Sequence, residues 1–404
     1  MGKKILVISQ YFYPEQFRIN DICEQWVKRG YNVTVVTGVP NYPNGKFYDE
    51  YGLFKKRFEE HNGINIIRIP IIPRGKTSIQ LALNYFSFVV SGYIWGTFSK
   101  ETPDLVFNYE TSPILQALPA VWFSKRRGVP CYVYILDMWP QSLEVVTGIK
   151  NQLIIKPLQK ICDYIYKNCD RIFTSSETFI SLIEERQISR EKLTFWPQYA
   201  EDFYKPLKVE HSKMTQIPND EKFNIIFAGN IGYAQGLGVL PKTAVLLKAN
   251  QVNVRFCIIG DGRYKDKLIN EINDNKVEDY FLFIDKQPAE RIPDFMAACD
   301  AALVCLADNQ LFAMTIPAKI QSCMACGIPI ILSANGEAQQ IIQNANCGVY
   351  CDAGDERELF DSIINITNKS KDSLEQMGKN ALKYFKNNYE REILLNKMDK
   401  YLNL

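Results

Sequence analysis

Histidine is almost missing from this sequence. Only two histidines occur among 404 residues. His61 falls in a predicted hairpin turn and His211 in a predicted linker, so both are expected to be solvated surface side chains. A serine or cysteine nucleophile that depends on a histidine base therefore has no credible partner in this chain.

A concentrated charge of one sign is also lacking. The formal net charge is +2, which argues against a nucleic acid partner, because such a protein needs a strongly basic face. No G-x-G-x-x-G follows the first strand-like run and no G-x-x-x-x-G-K-[ST] occurs, which disfavours nicotinamide cofactors and ATP cleavage. Repeats and low-complexity runs are not seen. With 47% hydrophobic residues, the chain is globular and long enough for two cores.

The eleven cysteines are scattered through apolar surroundings. Cys323, Cys326, Cys347 and Cys351 resemble a four-thiolate zinc pattern, but their apolar neighbours favour packed thiols, and no metal site is predicted. The first residues run directly into a strand without the apolar segment of a signal peptide. Reduced cysteines in a cytoplasmic protein are therefore expected.

One uncharged stretch, residues 79–98, has about the length of a membrane span. Three interpretations stay open at this stage. The stretch forms a long core helix, or a helix at the membrane interface with Arg74, Lys76 and Lys100 facing anionic lipid, or a true span. The flanking sequence reads as one continuous α/β domain, which argues against the span.

Strand-like runs alternate with helical ones along the chain. Runs over 4–9 and 33–37 enclose an amphipathic helix that ends at Gly30, which predicts a βαβ unit and a parallel sheet. A proline-containing stretch without sustained periodicity, 196–222, predicts a linker. The predicted fold class is α/β, with two doubly wound Rossmann-like domains, 1–200 and 201–384, that face each other across a cleft. Further strands are predicted at 64–69, 105–108, 131–136, 171–174, 193–195, 223–228, 254–259, 280–284, 301–306, 328–332 and 348–351.

Three strand-to-helix turns in the second domain predict a phosphate site. Glycines let backbone N–H groups approach a phosphate closely, and a helix N-terminus attracts negative charge. Such turns converge at one edge of a parallel sheet, which predicts a nucleotide-linked substrate. Lys319, in the first turn of a helix, can stabilise a leaving diphosphate, although a solvated lysine is the alternative. The turn residues are Gly229, Asn230, Gly232, Gly260, Asp261, Gly262, Thr315 and Pro317.

Acidic and basic side chains follow the strands of the first domain. Asp137 comes directly after a strand, where an acceptor hydroxyl needs a base or an orienting group. Glu15 and Arg18 fall on the first strand-to-helix loop, and Glu110 is another acid at a strand end. For each of these residues a helix cap or an ion pair is the alternative interpretation.

Several short motifs resemble those of one enzyme family. They are Tyr11-x-Tyr-Pro-Glu15, Gly38-Val-Pro-Asn-Tyr-Pro43, Asp137-Met-Trp-Pro140, Ala228-Gly-Asn-Ile-Gly-Tyr-Ala-Gln-Gly236, Gly260-Asp-Gly262, Pro317-Ala-Lys319 and Met324-Ala-Cys-Gly-Ile-Pro329. In this order they resemble bacterial GT-B glycosyltransferases of family 4, in the subgroup of N-acetyl-L-fucosamine transferases of O-antigen and capsule assembly.

The resemblance implies a UDP-sugar donor in the C-terminal domain, no cofactor and metal-independent transfer. It implies a polyprenyl-diphosphate-linked sugar acceptor in the N-terminal domain and a peripheral position on the inner face of the bacterial plasma membrane. It also implies that a last helix, 385–404, packs back on the first domain. The acceptor residues are then Arg18, Asn41, Tyr42, Glu110 and Trp139.

The chain departs from the family pattern at several positions. Asn230 and Gln235 stand near the places of an Arg/Lys pair, which leaves Lys319 as the main cation of the donor site. Ala313 and Ser322 stand about where two glutamates are usual, and Glu337 is a candidate to replace one of them or a helix-cap carboxylate. The family histidine is also missing.

The function predicted from the sequence is transfer of an N-acetylated deoxyhexose from UDP to a lipid-linked sugar. Asp137, Glu15 and Lys319 are its predicted catalytic residues. Because of the missing acids and histidine, two alternatives stay open. One is an inactive homologue that binds a sugar nucleotide as a partner subunit, and the other is an epimerase of UDP-N-acetylhexosamine.

Overall fold

The computed structural model describes residues 2–75, 77–149, 151–208 and 216–403. Lys76 and His211, for which the sequence led to predictions, lie outside these ranges. The chain divides into two compact units, each with its own sheet. Unit 1 comprises Met1–Trp196 with Tyr401–Leu404, and unit 2 comprises Pro197–Lys400.

The sheet of unit 1 has eight strands in the order β3-β4-β2-β1-β5-β6-β7-β8. All pairs are parallel except the β3–β4 hairpin. The central strands are buried along nearly their whole length, which explains their continuous apolar sequences. The strands are β1 (Lys4–Ile8), β2 (Asn32–Gly38), β3 (Phe58–His61), β4 (Ile64–Ile69), β5 (Leu105–Glu110), β6 (Cys131–Ile135), β7 (Arg171–Thr174) and β8 (Leu193–Phe195).

Helices of unit 1 connect these parallel strands. Ile19, Ile22 and Trp26 form the buried face of α1. A capping box formed by Thr77 and Gln80 fixes the start of α2. The helices are α1 (Arg18–Lys28), α2 (Ser78–Phe98), α3 (Leu118–Arg127), α4 (Gln141–Thr147), α5 (Gln152–Asn168) and α6 (Glu177–Glu184).

Unit 2 contains a sheet of six parallel strands in the order β11-β10-β9-β12-β13-β14. Buried apolar clusters cover this sheet on both faces. The strands are β9 (Phe223–Ala228), β10 (Val254–Ile259), β11 (Phe281–Ile284), β12 (Ala301–Cys305), β13 (Ile330–Ser333) and β14 (Gly348–Cys351). Two parallel-sheet, Rossmann-like units confirm the α/β fold class that the sequence predicted.

Helices of unit 2 alternate with its strands and continue to the end of the chain. The last turn of α15 belongs to unit 1, where the Arg171 guanidinium carbon lies 4.3 Å from the ring centre of Tyr401. The helices are α7 (Val239–Ala249), α8 (Lys265–Asp274), α9 (Ile292–Ala297), α10 (Gln310–Ala313), α11 (Ala318–Cys326), α12 (Glu337–Ala345), α13 (Glu356–Thr367), α14 (Lys371–Asn388) and α15 (Arg391–Leu402).

Candidate active site

Two glycine turns lie side by side at the carboxyl ends of β9 and β10. Gly229 and Gly260 have φ angles of 143° and 141°, which disfavour residues with a Cβ. A Cβ on Gly260 would lie 1.9 Å from the Gly229 carbonyl oxygen, so the two strand ends approach as closely as only glycine permits. Ile231 N–H donates to the Asp261 carbonyl at 2.8 Å and joins the turns. The result is a strip of backbone at the sheet edge, in which Gly229 and Asn230 are exposed and Gly260 is buried.

Lys319 brings a positive charge to this strip. Its Nζ donates to Gln235 Oε1 and lies 4.3 Å from the ring centre of Phe227. A Cβ on Gly229 would lie 2.7 Å from Lys319 Cε, so the lysine stem packs directly on the glycine turn. Burial lowers the pKa of Lys319 to about 8. Lys319, Gln235 and the Gly229 turn are therefore one constellation, and an anion bound there would favour the charged ammonium.

The other polar groups of the turns are held locally. Asn230 is exposed and lies between Gly232 and Gly262, within van der Waals reach of both. Asp261 Oδ1 accepts a hydrogen bond from the Gly262 N–H at 2.9 Å. Asp261 thus orders its own turn and adds negative charge at its rim.

The remaining predicted donor residues lie around the N-termini of α11 and α12. Thr315 Oγ1 donates to the Phe312 carbonyl at 2.9 Å, and Pro317 is the N-cap residue of α11. Glu337 is buried in the first turn of α12, and its charge acts on the hydroxyl groups of Tyr384 in α14 and of Tyr389, the residue that follows α14. Glu337 thus faces the interior of unit 2, on the side of α12 that is next to α14.

In unit 1, Glu15 ties two strand-end loops together. Its Oε1 accepts hydrogen bonds from the N–H groups of Asn41 at 2.7 Å and Tyr42 at 2.6 Å. The side chain is only 2% exposed, and this burial raises the pKa of its carboxyl to about 7 even though the backbone donors lower it. Both backbone N–H groups bind the same carboxylate oxygen, so Glu15 connects its own loop to the Asn41–Tyr42 loop. Its predicted catalytic role stays a prediction.

Two carboxyl groups, Glu110 and Asp137, lie together at the ends of β5 and β6. Glu110 Oε2 accepts from the Leu136 N–H at 3.3 Å, and burial together with the charge of Asp137 raises the Glu110 pKa well above its ordinary value. Asp137 is half-buried, accepts a hydrogen bond from Ser142 Oγ, and has a pKa that burial raises. Burial thus favours the neutral form of both carboxyl groups, and it does so more strongly for Glu110 than for Asp137.

Other predicted acceptor residues surround this pair. Trp139 Nε1 donates to Ser112 Oγ at 3.1 Å. Arg18 begins α1, and its charge acts on the buried hydroxyl groups of Tyr109 in β5 and Tyr134 in β6. The structure thus groups Arg18, Glu110, Asp137 and Trp139 at the β5–β6 end, whereas Glu15, Asn41 and Tyr42 form a group of their own beside β2.

The sequence analysis missed an aromatic group beside Tyr42. Tyr11 and Phe17 each have ring centres within 5.5 Å of the Tyr42 ring centre, and the Arg74 guanidinium lies against the same ring. Arg74 was considered only as a lipid-facing flank of the apolar stretch. Tyr85 of α2 joins this group, since the charges of Arg74 and Asp137 both act on its hydroxyl. In the sequence, Asn84, Tyr85 and Phe88 are spaced so that they share one face of a helix, and this spacing could have indicated that the three side chains face inward.

The helix α2 has two faces that differ in burial rather than in polarity. Asn84 and Phe88 are fully buried, so part of the helix belongs to the core of unit 1. The opposite face is apolar and exposed, with exposed fractions of 74% for Ile79, 64% for Phe86 and 79% for Phe98. Throughout the described ranges, helices fall short of the length or apolarity that a bilayer crossing requires. The true-span interpretation therefore does not hold for the described residues. The burial of Asn84 and Phe88 agrees with a core helix along one face, and the membrane-interface interpretation stays a prediction.

His61 and the cysteines are not among the predicted site residues. His61 is half-buried rather than solvated, because its ring stacks on Tyr13 with centres 3.6 Å apart. All eleven cysteines are free thiols, and burial raises the pKa of Cys323, Cys326 and Cys347. Among the described residues, no group of three or more His, Cys, Asp or Glu side chains could hold a metal ion.

Comparison with protein families matches both units. Residues 16–198 match the model described as "Glycosyl transferase 4-like domain". Residues 210–384 match the model described as "Glycosyl transferases group 1". The chain carries two glycosyltransferase domains. The group 1 domain contains the Lys319 constellation, and the 4-like domain contains the Asp137 and Glu110 pair.

Relatives and solved structures agree with these domains. The chain is 22% identical over 349 residues to WcaI of Escherichia coli K12, which carries the name of a colanic acid biosynthesis glycosyl transferase, with 82% of this chain and 83% of WcaI covered. A sucrose-phosphate synthase from Thermosynechococcus elongatus has a similar fold, with a TM-score of 0.78, 14% identity and coverage of 100% and 98%. Anabaena HepE, solved with UDP and glucose, has a TM-score of 0.71 at 15% identity, with 100% of each chain covered. These structures have the GT-B fold of two Rossmann-like domains, and this chain shares it.

Proposed function

We propose that this glycosyltransferase moves an N-acetylated deoxyhexose, N-acetyl-L-fucosamine as the first choice, from a UDP-sugar to a lipid-diphosphate-linked sugar in O-antigen or capsule assembly. The observation that carries the proposal is the Lys319 ammonium, which is packed on the Gly229 turn of a group 1 glycosyltransferase domain. A UDP donor is consistent with HepE, whose structures contain UDP and UDP-glucose. No cofactor or metal is assigned to the reaction.

In the proposed donor site, the leaving diphosphate lies on the backbone strip of Gly229 and Gly260. The glycosidic bond from the sugar C1 to the diphosphate oxygen breaks, and negative charge develops on the UDP. Lys319, half-buried and beside the N-terminus of α11, stabilises that charge where few waters compete. Gln235 orients the ammonium through its side-chain oxygen.

In the proposed acceptor site, Asp137 orients the acceptor hydroxyl and accepts its proton as the new C1–O bond forms. Asp137 suits this role because it is half-buried and is positioned by Ser142. Glu110, buried below it and neutral, keeps a second negative charge away from the site. Glu15 positions the Asn41–Tyr42 loop.

We further propose that unit 1 binds the inner face of the bacterial plasma membrane through the outer face of α2. The exposed apolar side chains of this face include Ile79, Phe86 and Phe98. Arg126 lies beside α2 in a shallow cavity lined by Tyr93 and Trp122, where a cation and two aromatic rings suit anionic lipid headgroups.

Donor turnover tests the proposed function. Purified protein is incubated with a panel of UDP-, GDP- and dTDP-sugars and a short polyprenyl-diphosphate-GlcNAc acceptor, and nucleotide release and product mass are followed. We expect acceptor-dependent release of UDP and a product heavier by one N-acetylated deoxyhexose. UDP binding without turnover would favour the inactive-partner alternative. Interconversion of UDP-N-acetylhexosamines without an acceptor would favour the epimerase.

A further inference from the structure

A cluster of aromatic rings holds the Arg74 side chain in unit 1. Tyr11 and Phe17 are stacked with ring centres 5.2 Å apart, and Tyr42 closes the group. The Arg74 guanidinium carbon lies 5.1 Å from the Tyr42 ring centre, and its Nη1 is 3.5 Å from Tyr11 Oη. The Arg74 N–H donates to Asn41 Oδ1 at 2.8 Å, which fixes the backbone. The cation is thus held in place mainly by rings.

No carboxylate in the described ranges forms an ion pair with this guanidinium. Arg68, by contrast, is paired with Glu59 at 2.5 Å. Arg74 is half-buried, so water screens its charge only in part. The guanidinium is planar, lies against an aromatic ring and is open to a further partner. Such a group is suited to bidentate binding of a phosphate.

The cluster is connected to the inner face of α2. Asn84 Nδ2 donates to the Ile72 carbonyl at 2.6 Å, and Asn84 Oδ1 accepts from Gln10 Nε2 at 2.7 Å. Tyr11 Oη lies 3.4 Å from the same oxygen. Arg74 lies in the segment just before α2 and its cluster contacts the inner face of that helix, whereas the exposed apolar face is the outer one. This combination matches a ligand with an anionic head and an apolar chain.

The cluster also reaches the acceptor end of unit 1. Tyr85, half-buried on α2, is influenced by the charges of both Arg74 and Asp137. A phosphate on Arg74 would therefore lie near the carboxylate that we propose to activate the acceptor hydroxyl. In a sugar diphosphate the sugar hydroxyl groups lie only a short distance from the phosphates. One acceptor molecule therefore suits a site with Arg74 for the phosphate and Asp137 for the hydroxyl.

We propose that Arg74, held by Tyr42 and Tyr11, binds the diphosphate of the lipid-linked acceptor, with the lipid chain leaving along the apolar face of α2. Tyr85 is a positioning residue between this diphosphate and Asp137. The inference rests on the proposed function for the acceptor class, and it assigns the acceptor's charged group to Arg74, which the sequence analysis named only as a flank of the apolar stretch.

Farnesyl diphosphate is the probe for this site. Its binding to the full chain is measured by calorimetry in saturating UDP, which blocks the diphosphate site of unit 2. Farnesol and inorganic pyrophosphate are measured in parallel. The variants are Arg74→Gln, which removes the charge, Arg74→Lys, which keeps the charge and loses the planar fork, and Lys100→Gln, a matched exposed cation at the far end of α2.

We expect farnesyl diphosphate to bind more tightly than either farnesol or pyrophosphate. Arg74→Gln should weaken it by about ten-fold or more, Arg74→Lys by less, and Lys100→Gln should leave it unchanged. Unchanged binding in Arg74→Gln, with thermal stability intact, would overturn the proposal. Equal binding of pyrophosphate would also overturn it, by making the cluster a free-phosphate site.

A negative result of this experiment can be distinguished from a failure of the proposed function. UDP affinity, measured in the same samples, reports on the donor site of unit 2, which contains none of the substituted residues. Absent binding of farnesyl diphosphate to the natural chain, with UDP binding retained, would reject the Arg74 site alone. Absent UDP binding or absent turnover would count against the proposed function and leave the Arg74 result standing.

Discussion

In unit 2 the carboxyl edge of the sheet gathers glycine turns around one ammonium, whereas in unit 1 it gathers carboxyl groups at the ends of β5 and β6. Both edges arise from the same parallel topology. At the first edge the predicted functional groups are the glycine turns with Lys319, and at the second they are the side chains of Asp137 and Glu110. In our proposal, one topology thus supplies a site for negative charge and a site for proton transfer, and the strand-end residues decide which.

The largest expected effect removes the cation of unit 2. Lys319→Met should lower turnover by about 100-fold or more, because a buried cation beside developing charge contributes strongly to transition-state stabilisation. Lys242→Met, which changes an exposed lysine of α7, is the matched control and should retain activity. Steady-state kinetics and thermal melts check both variants. Full activity in Lys319→Met would reject its assigned role.

The next prediction separates the two acids of unit 1. Asp137→Asn should lower turnover by about 100-fold, because the amide accepts no proton. Glu110→Gln should change turnover by only a few-fold, because burial already keeps Glu110 neutral and the amide oxygen can still accept the Leu136 N–H. Equal losses in the two variants, measured with the same donor and acceptor, would contradict the assignment of charge to Asp137.

Glu15 gives a smaller effect, on stability. Its pKa is raised from 4.5 to about 7, so its stabilising contribution is full below pH 4.5 and is lost as the pH rises through 7. The stability of Glu15→Gln relative to the natural chain should therefore increase between pH 5 and pH 8, by about 1–3 kcal/mol. Denaturant unfolding at several pH values measures this difference. A pH-independent difference would show that Glu15 is ionised throughout.

The smallest effect concerns the outer face of α2. Phe86→Ser should reduce binding to vesicles of phosphatidylglycerol by a few-fold while leaving the stability of unit 1 nearly unchanged, because Phe86 is exposed. Val245→Ser, an exposed apolar residue of unit 2, is the control. Co-sedimentation with vesicles reports the binding. Equal binding of Phe86→Ser and the natural chain would argue against membrane contact through this face.

The parallel strands, the glycine turns and the two Rossmann-like domains could be predicted from the sequence, because buried parallel strands are continuous apolar runs bounded by glycine or polar residues. The antiparallel edge strand β3 was missed, because its sequence is mostly polar and only partly buried. The faces of α2 could not be predicted, because its exposed face is as apolar as its buried one and periodicity needs a contrast. For that reason the sequence alone leaves three interpretations of residues 79–98 open.

Side-chain partners were harder to predict than elements. Glu15 bonds to backbone N–H groups 26 and 27 residues away, and backbone donors have no residue type that a sequence could reveal. The partner of Lys319 is Gln235, 84 residues distant, and Arg74 meets Tyr11 63 residues away. The catalytic and binding roles of the predicted site residues stay predictions, which the variants above test.

UDP affinity as a function of pH tests the central claim, that Lys319 makes unit 2 a diphosphate site. Calorimetry between pH 7 and pH 10 should show affinity falling as the ammonium, whose pKa is about 8 in the free protein, loses its proton. Bound diphosphate favours the charged form, so the fall should begin near pH 8 and continue up to the higher pKa that Lys319 has in the complex. Lys319→Met should bind UDP weakly and with little pH dependence over this range. The same pH profile in Lys319→Met and the natural chain would contradict the account.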